Sequence, residues 1–301
     1  MAKRYTPAMA RFEKKNKGRK SKVSSPSAEA WRRMKRNKLA LVGLAVMILM
    51  ILVAILAPVI APYGYDEQNY SAVLQKPNAA YPLGTDDFGR DLLTRLIYGS
   101  RISIPVGFIC SALSLIVGGG LGLVAAYYGG WVEDIIMRIM DIFMAIPAML
   151  FAMAVLSAIG TGTYKMIIAI SLSCLPLFAR ITRGAVYTVK NADYIDSSRA
   201  IGASNVRMML RHMLPNALGP VIVITTFSVA GNILVVSALS YLGIGIVPPT
   251  AEWGSILSAA KPYISSAPWF LLFPGITIML SVFAINLFGD GLRDALDPRL
   301  K

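Results

Sequence analysis

This sequence is poor in charge and in the residues that carry covalent chemistry. It holds one histidine, His212, and two cysteines, Cys110 and Cys174, in 301 residues. A lone histidine without paired carboxylates or a nucleophile motif nearby makes no general acid–base or nucleophilic site. The cysteines lie within apolar runs and lack metal-ligand spacing. They predict neither a zinc site nor a disulfide framework, and read as small core residues. No G-x-x-x-x-G-K-[ST] stretch occurs, so the chain does not bind ATP through that loop. Asp, Glu, Lys and Arg make up only 15% of residues, against about 25% in soluble domains. Together these absences leave no catalytic constellation and argue against a soluble globular domain.

What the chain has in quantity is apolar sequence, 55% of residues, in long runs. The run from Leu39 to Ala61 is long enough to cross about 30 Å of hydrocarbon at about 1.5 Å per residue. It is too long for a signal peptide core and reads as a retained helix. Further spans are predicted at about 102–126, 142–164, 165–187, 217–240 and 269–288. The fourth requires Lys165 and Arg180 to snorkel to the interfaces. The fold class is therefore an all-α integral membrane protein with six transmembrane helices. Gly118 and Gly122 form a small-xxx-small pair that would let a neighbouring helix approach.

Charge is distributed unevenly. Fourteen of the 30 Lys and Arg lie at or before Lys38, opposed there only by Glu13 and Glu29. A basic segment directly before a span holds that end in the cytoplasm, and anionic headgroups attract it; nucleic-acid binding is the weaker explanation. Residues 1–30, rich in Lys, Ser and Pro, read as a disordered basic tail, and 31–301 as the transmembrane domain. With six spans both termini are cytoplasmic. The loops agree: 180–216 holds Arg180, Arg183, Lys190, Arg199, Arg207 and Arg211 against Asp193 and Asp196, while 62–100 is acidic and 241–268 nearly neutral.

The middles of the spans contain no Asp, Glu or His, the groups that usually carry protons through a membrane. If the chain moves a solute uphill, energy enters from another subunit and needs a surface to enter by. The stretch "DYIDSSRAIGASNVRMMLRHMLPN", Asp193 to Asn216, is the largest internal cytoplasmic loop. Asp193 is placed to cap a first helix, Gly202 to end it and Ser204 to cap a second. Val206, Met209, Leu210, Met213 and Leu214 recur at i, i+3, i+4, i+7, i+8, an amphipathic stripe that Pro215 stops. Such a stripe packs under the bundle or docks in a partner's groove, and pattern alone leaves both open.

The spacing of this stretch resembles the EAA motif of binding-protein-dependent ABC importer permeases: E-A-A, three residues, G, nine residues, I-x-L-P. Here it runs Asp196-Ser197-Ser198, Arg199, Gly202, then His212-Met213-Leu214-Pro215, with Asp for Glu, serines for alanines and His for Ile. "YPLGTDDFGRDLLTRLIYGSRIS", "IIMRIMDIFMAIPAML", "LGIGIVPPTAEWGSIL" and "FPGITIMLSVFAINLFGDGLRDALDPRLK" are similar to the dipeptide/oligopeptide branch, which includes nickel transporters, and to its second permease-type subunit. The resemblance covers nearly all of 31–301.

It implies a type I ABC importer permease fold. It also implies a second homologous permease as partner, two cytoplasmic ATPases that bind ATP and magnesium, and an extracellular or periplasmic binding protein in a prokaryotic cell membrane. This chain would hold no cofactor of its own. Residues 192–214 would form the coupling loop, with Asp196, Ser197, Ser198, Arg199, Gly202, Val206, Met209, Leu210, His212, Leu214 and Pro215 as its working residues. Thr225, Ser228 and Asn232 share one helical face in the fifth span; they line the solute path or tie helices together. The outer segment around Phe88, Leu92 and Leu96 is predicted as an interface helix with an Asp91–Arg95 pair, and "PPTAEWG" as an outward loop with an interfacial Trp253. The implied solute is a peptide, with nickel complexes or glutathione as alternatives within the branch. An ion-coupled transporter acting alone and a membrane scaffold are the readings from other classes.

Overall fold

The computed structural model describes residues 31–296. The expected tail over 1–30 lies outside the described residues. Helix α1, Lys38–Ile60, is opened by Asn37, whose side chain accepts from Ala40 N at 3.2 Å. A loop leads to α2, Leu92–Tyr128, which begins at Asp91 with Thr94 N donating to its carboxylate at 2.8 Å. Capping satisfies backbone donors that have no partner inside the helix. Gly129, at φ +65°, ends α2. Then come α3, Gly130–Met144, α4, Ala148–Ile159, and α5, Thr163–Lys190. The short α6, Asp193–Ala200, precedes α7, Asn205–Tyr241. Helix α8, Trp253–Ala259, and α9, Pro268–Leu296, complete the described chain. No strand occurs among the described residues, only one isolated bridge between Thr85 and Asp91.

Five helices, α1, α2, α5, α7 and α9, are long and apolar enough to cross a membrane. The third predicted span differs from expectation. Instead of a helix over 142–164, α3 and α4 meet at an 87° bend, and the pair together passes the same test. The break falls where Pro147 has no N–H to donate and disfavours helical geometry at Ile146. The second span starts ten residues earlier than predicted. The stretch from Leu92 is not a separate interface helix but the first turns of α2.

The helices run back and forth between two ends. The near end carries the start of α1, where Met34 and Ala40 pack against Ala295, together with the 193–213 segment. The far end carries 62–91, α8 and the start of α9, centred on Leu92, Leu96, Trp253, Ile256 and Phe270. Between them Val106, Cys110, Leu156, Met166, Ile170, Val236 and Leu239 join α2, α4, α5 and α7. The Gly118–Gly122 pair does bring a helix close. A Cβ at Gly118 would sit 2.5 Å from the Leu175 carbonyl oxygen, and one at Gly122 would collide with that of Ala179, both on α5.

Candidate functional site

The candidate surface is the bent helix pair at the near end. Its first member, α6, is held by one residue: Ile195 is fully buried while Asp193, Tyr194, Asp196, Ser197 and Arg199 are exposed. Asp193 does not cap it; Ala192 occupies that position and Asp193 lies in the first turn, where its charge suits the helix dipole. The Ser197 and Ser198 hydroxyls donate back to the carbonyls of Asp193 and Tyr194, at 2.8 and 2.7 Å. Asp196 and Arg199 stand 3.9 Å apart in solvent. Gly202, at φ +82°, makes the predicted turn, with Gly202 N donating to Arg199 O and Ala203 N to Ser198 O. That conformation is open to glycine at little cost.

The second member departs from the expected stripe. Ser204 stands at the cap position without a side-chain cap bond. Met208–Met213 is then π-helical, so the register widens and residues five apart come to share a face. Met208, Met209 and Met213 are buried, whereas Val206 and Leu210 are 60% and 56% exposed. The predicted stripe of Val206, Met209, Leu210, Met213 and Leu214 is thus divided: the methionines point inward, Leu214 is half-buried, and Val206 and Leu210 point out. Pro215 does not stop the helix, and α7 runs on past it without a break to Tyr241. Its ring follows a widened turn, which eases the clash a proline meets in a regular helix.

The result is a block with a buried root and an apolar outer face. The root packs Ile195, Met208, Met209 and Met213 against Leu123, Ala126, Val186 and Val221 of α2, α5 and α7. Tyr127 of α2 donates to Asn205 at 2.8 Å, tying the block to the end of that helix, and Lys190 Nζ of α5 donates to the Ala126 carbonyl of α2 at 2.6 Å, joining the ends of the two helices it packs against. On the outer face Ile201 is 86% exposed. It borders a groove of about 330 Å³ lined with Ala203, Arg207, Arg211 and the half-buried His212. No group of three or more His, Cys, Asp or Glu able to hold a metal occurs among the described residues.

The proposed path residues fall elsewhere. Asn232 donates to Ser111 at 2.9 Å and to Ser228 at 3.4 Å, and accepts from the Cys174 thiol at 3.4 Å. This buried polar knot ties α2, α5 and α7. Thr225 donates to the Val221 carbonyl at 2.7 Å and borders an apolar cavity of about 270 Å³ with Met47, Phe108 and Phe288.

Sequence reasoning missed two charged groups. At the near end Arg183 and Tyr187 of α5 bind Glu133 of α3, and Arg180 reaches Asp141 at 2.5 Å. Glu133 and Asp141 lie eight residues apart, two helical turns, and face α5; nothing in the sequence names that partner. At the far end Asp86 is fully buried and accepts from Phe88 N, Arg90 N and Arg90 Nε, at 2.9, 2.9 and 2.6 Å. Arg95 stands 3.4 Å from Asp86 and donates to the Tyr65 carbonyl at 3.1 Å. It makes no ion pair with Asp91, because Asp91 caps α2. This neutralisation lets α2 begin at Leu92 despite its arginine. Trp253 is not interfacial either: it is fully buried and donates to the Leu96 carbonyl at 3.0 Å. Glu252 beside it caps α8, accepting from Gly254 N and Ser255 N at 2.9 and 2.8 Å and from Ser103 Oγ at 3.1 Å.

Residues 118–301 match the family described as "Binding-protein-dependent transport system inner membrane component", and 25–77 match "N-terminal TM domain of oligopeptide transport permease C". The chain is 45% identical over 277 residues to the dipeptide transport system permease protein DppC of Alkalihalophilus pseudofirmus, covering 92% of this chain and 91% of that one. It is 38% identical to the glutathione transport system permease protein GsiD of Pectobacterium atrosepticum, covering 94% of each. Among solved structures, an inward-facing MetNI methionine ABC transporter chain superposes with a TM-score of 0.56 at 17% identity, over 68% of this chain and 98% of that one. That likeness concerns the fold.

Proposed function

This chain belongs to the family of binding-protein-dependent transport permeases, and from that membership we propose that it is one half of a peptide importer driven by separate ATPase subunits. Peptides are favoured because relatives named for dipeptides are 45% identical or more, against 38–39% for those named for glutathione. A second, homologous permease completes the pathway, and a binding protein delivers the solute at the far end. ATP and magnesium sit on the ATPases. The near end is cytoplasmic, which the basic excess of 180–216 supports.

The observation that carries the coupling role is the division of the 193–213 block. Ile195, Met208, Met209 and Met213 anchor it between α2, α5 and α7, while Ile201, Val206 and Leu210 stand in solvent. A rigid piece rooted in long helices transmits a push from its outer face to the bundle. Exposed apolar residues rimmed by Arg199, Arg207 and Arg211 suit a hydrophobic groove with an acidic border. Asp196, Ser197 and Ser198 lie on that same outer helix, and Gly202 sets the angle between the two members.

The test is assembly and uptake by the complete complex in liposomes. Val206→Asp with Leu210→Asp should weaken retention of the ATPases about thirtyfold, as loss of a central anchor does, and abolish ATP-driven uptake while the chain stays folded. Retained ATPases with full uptake would sink the proposal. So would gradient-driven uptake by this chain alone, which is the signature of an ion-coupled transporter.

A further inference from the structure

A pocket at the far end is built around a cation without a counter-ion. It measures about 340 Å³ and is lined by Tyr65, Tyr98, Arg101, Ile102, Thr250 and Ala251. Arg101 lies nine residues into the membrane-spanning α2, about 13 Å along the helix at 1.5 Å per residue. Among the described residues no carboxylate pairs with it, and its guanidinium makes no hydrogen bond. Its neighbour Arg95, by contrast, lies 3.4 Å from the Asp86 carboxylate and donates to the Tyr65 carbonyl. The Tyr65 and Tyr98 hydroxyls and the Thr250 side chain likewise have no protein partner among the described residues. Several donors without a protein partner therefore line one concavity, with Arg101 exposed at its mouth and Tyr65, Tyr98 and Thr250 half-buried.

The walls are fixed in advance. Tyr65 and Tyr98 pack at 5.3 Å between ring centroids, and the Arg101 guanidinium lies 5.9 Å from the Tyr98 ring. The Tyr65 backbone is held by Arg95. The opposite wall, Thr250–Ala251, leads directly into Glu252 and Trp253, which are pinned to α2 through Ser103 and Leu96. An exposed guanidinium without a counter-ion, set among half-buried hydroxyls, is open to an anionic ligand, and its pre-formed fork of donors matches a carboxylate.

We propose that this pocket is a subsite for the free C-terminal carboxylate of the transported peptide, taken up as the peptide enters from the far end. It rests on the peptide-importer reading. Arg101 supplies the charge and a two-point grip, the phenols donate further bonds, and the aromatic faces border the last peptide residue. The remaining volume is larger than a carboxylate needs, which favours a terminal residue over a bare ion.

The experiment uses the complete complex with its binding protein in liposomes. It compares uptake of one dipeptide with that of its C-terminal amide, both at concentrations that saturate the binding protein. Arg101→Gln should slow the free peptide about tenfold and the amide less than about twofold, the loss expected for one charge-assisted contact. Arg101→Lys should fall between the wild type and Arg101→Gln for the free peptide. Assembly is checked by co-purification of the ATPases, and Tyr98→Phe provides a milder variant that keeps the ring. Equal slowing of both peptides with weaker binding-protein attachment would show that Arg101 meets a carboxylate of that protein and overturn the proposal. Equal slowing without it, or no slowing, would also overturn it. A wild-type complex that imports neither peptide but carries another solute would remove the parent reading, and this one with it.

Discussion

At the far end Asp86, Arg90, Arg95 and Glu252 are buried and engaged by named partners, and Trp253 is closed off from solvent. At the near end the arrangement is reversed. Ile201, Val206 and Leu210 are exposed, and Asp196 and Arg199 face solvent at ion-pair limit. A buried charge persists only where its partners are in place, and Asp86, Arg90 and Arg95 find theirs among the described residues, while Asp87 Oδ1, Asp91 Oδ1, Arg95 Nε and Trp269 Nε1 accept or donate no hydrogen bond there. Exposed apolar residues on an anchored helix mark a surface completed by something else. The described residues thus hold one end whose charges are paired and one end whose apolar face is open.

Breaking the paired end should cost most. Asp86→Ala leaves two buried guanidinium groups without their carboxylate and should destabilise the chain by about 3–5 kcal/mol, read as a lower denaturation midpoint in detergent. Met213→Ala, at the buried root of the open end, should cost about 2–4 kcal/mol; an unchanged midpoint would mean that the block is not anchored. Glu252→Ala strips partners from Gly254 N, Ser255 N and Ser103 and should cost about 1–3 kcal/mol.

Glu252 also gives a pH dependence. Burial pushes its carboxyl up from the ordinary range, ahead of the Gly254 and Ser255 N–H groups that pull it down. A raised carboxyl binds its proton more tightly when folded. Its contribution is therefore fully present below the ordinary Glu value and is lost as pH rises through the folded one. Stability should decline over that window, and Glu252→Gln should flatten the decline. The smallest effect is expected on the open face: Val206→Ser with Leu210→Ser should shift stability by less than about 0.5 kcal/mol. A large shift there would erase the contrast between the two ends.

Much of this was legible in the chain. The long apolar runs, the basic excess of 180–216, the turn at Gly202 and the Gly118–Gly122 approach follow from local composition and spacing, and local physics places them. Three features were not legible. The π-helical turn at Met208–Met213 rotates the stripe, and periodicity assumes a regular helix. The bend at Pro147 splits what reads as one apolar run. Arg95 and Trp253 are buried by partners at Asp86, Tyr65 and Leu96 that lie on other elements.

The sequence by itself determined that this is a multi-span helical membrane protein with an ordered, bent block between its fourth and fifth apolar runs, because hydrophobic length and turn chemistry act over a few neighbouring residues. Only the tertiary structure decided which side of that block is root and which is face, and which arginine of α2 pairs with a carboxylate and which does not. Those outcomes depend on helix register and on contacts between residues such as Arg95 and Tyr65, or Tyr127 and Asn205, that distance along the chain does not record.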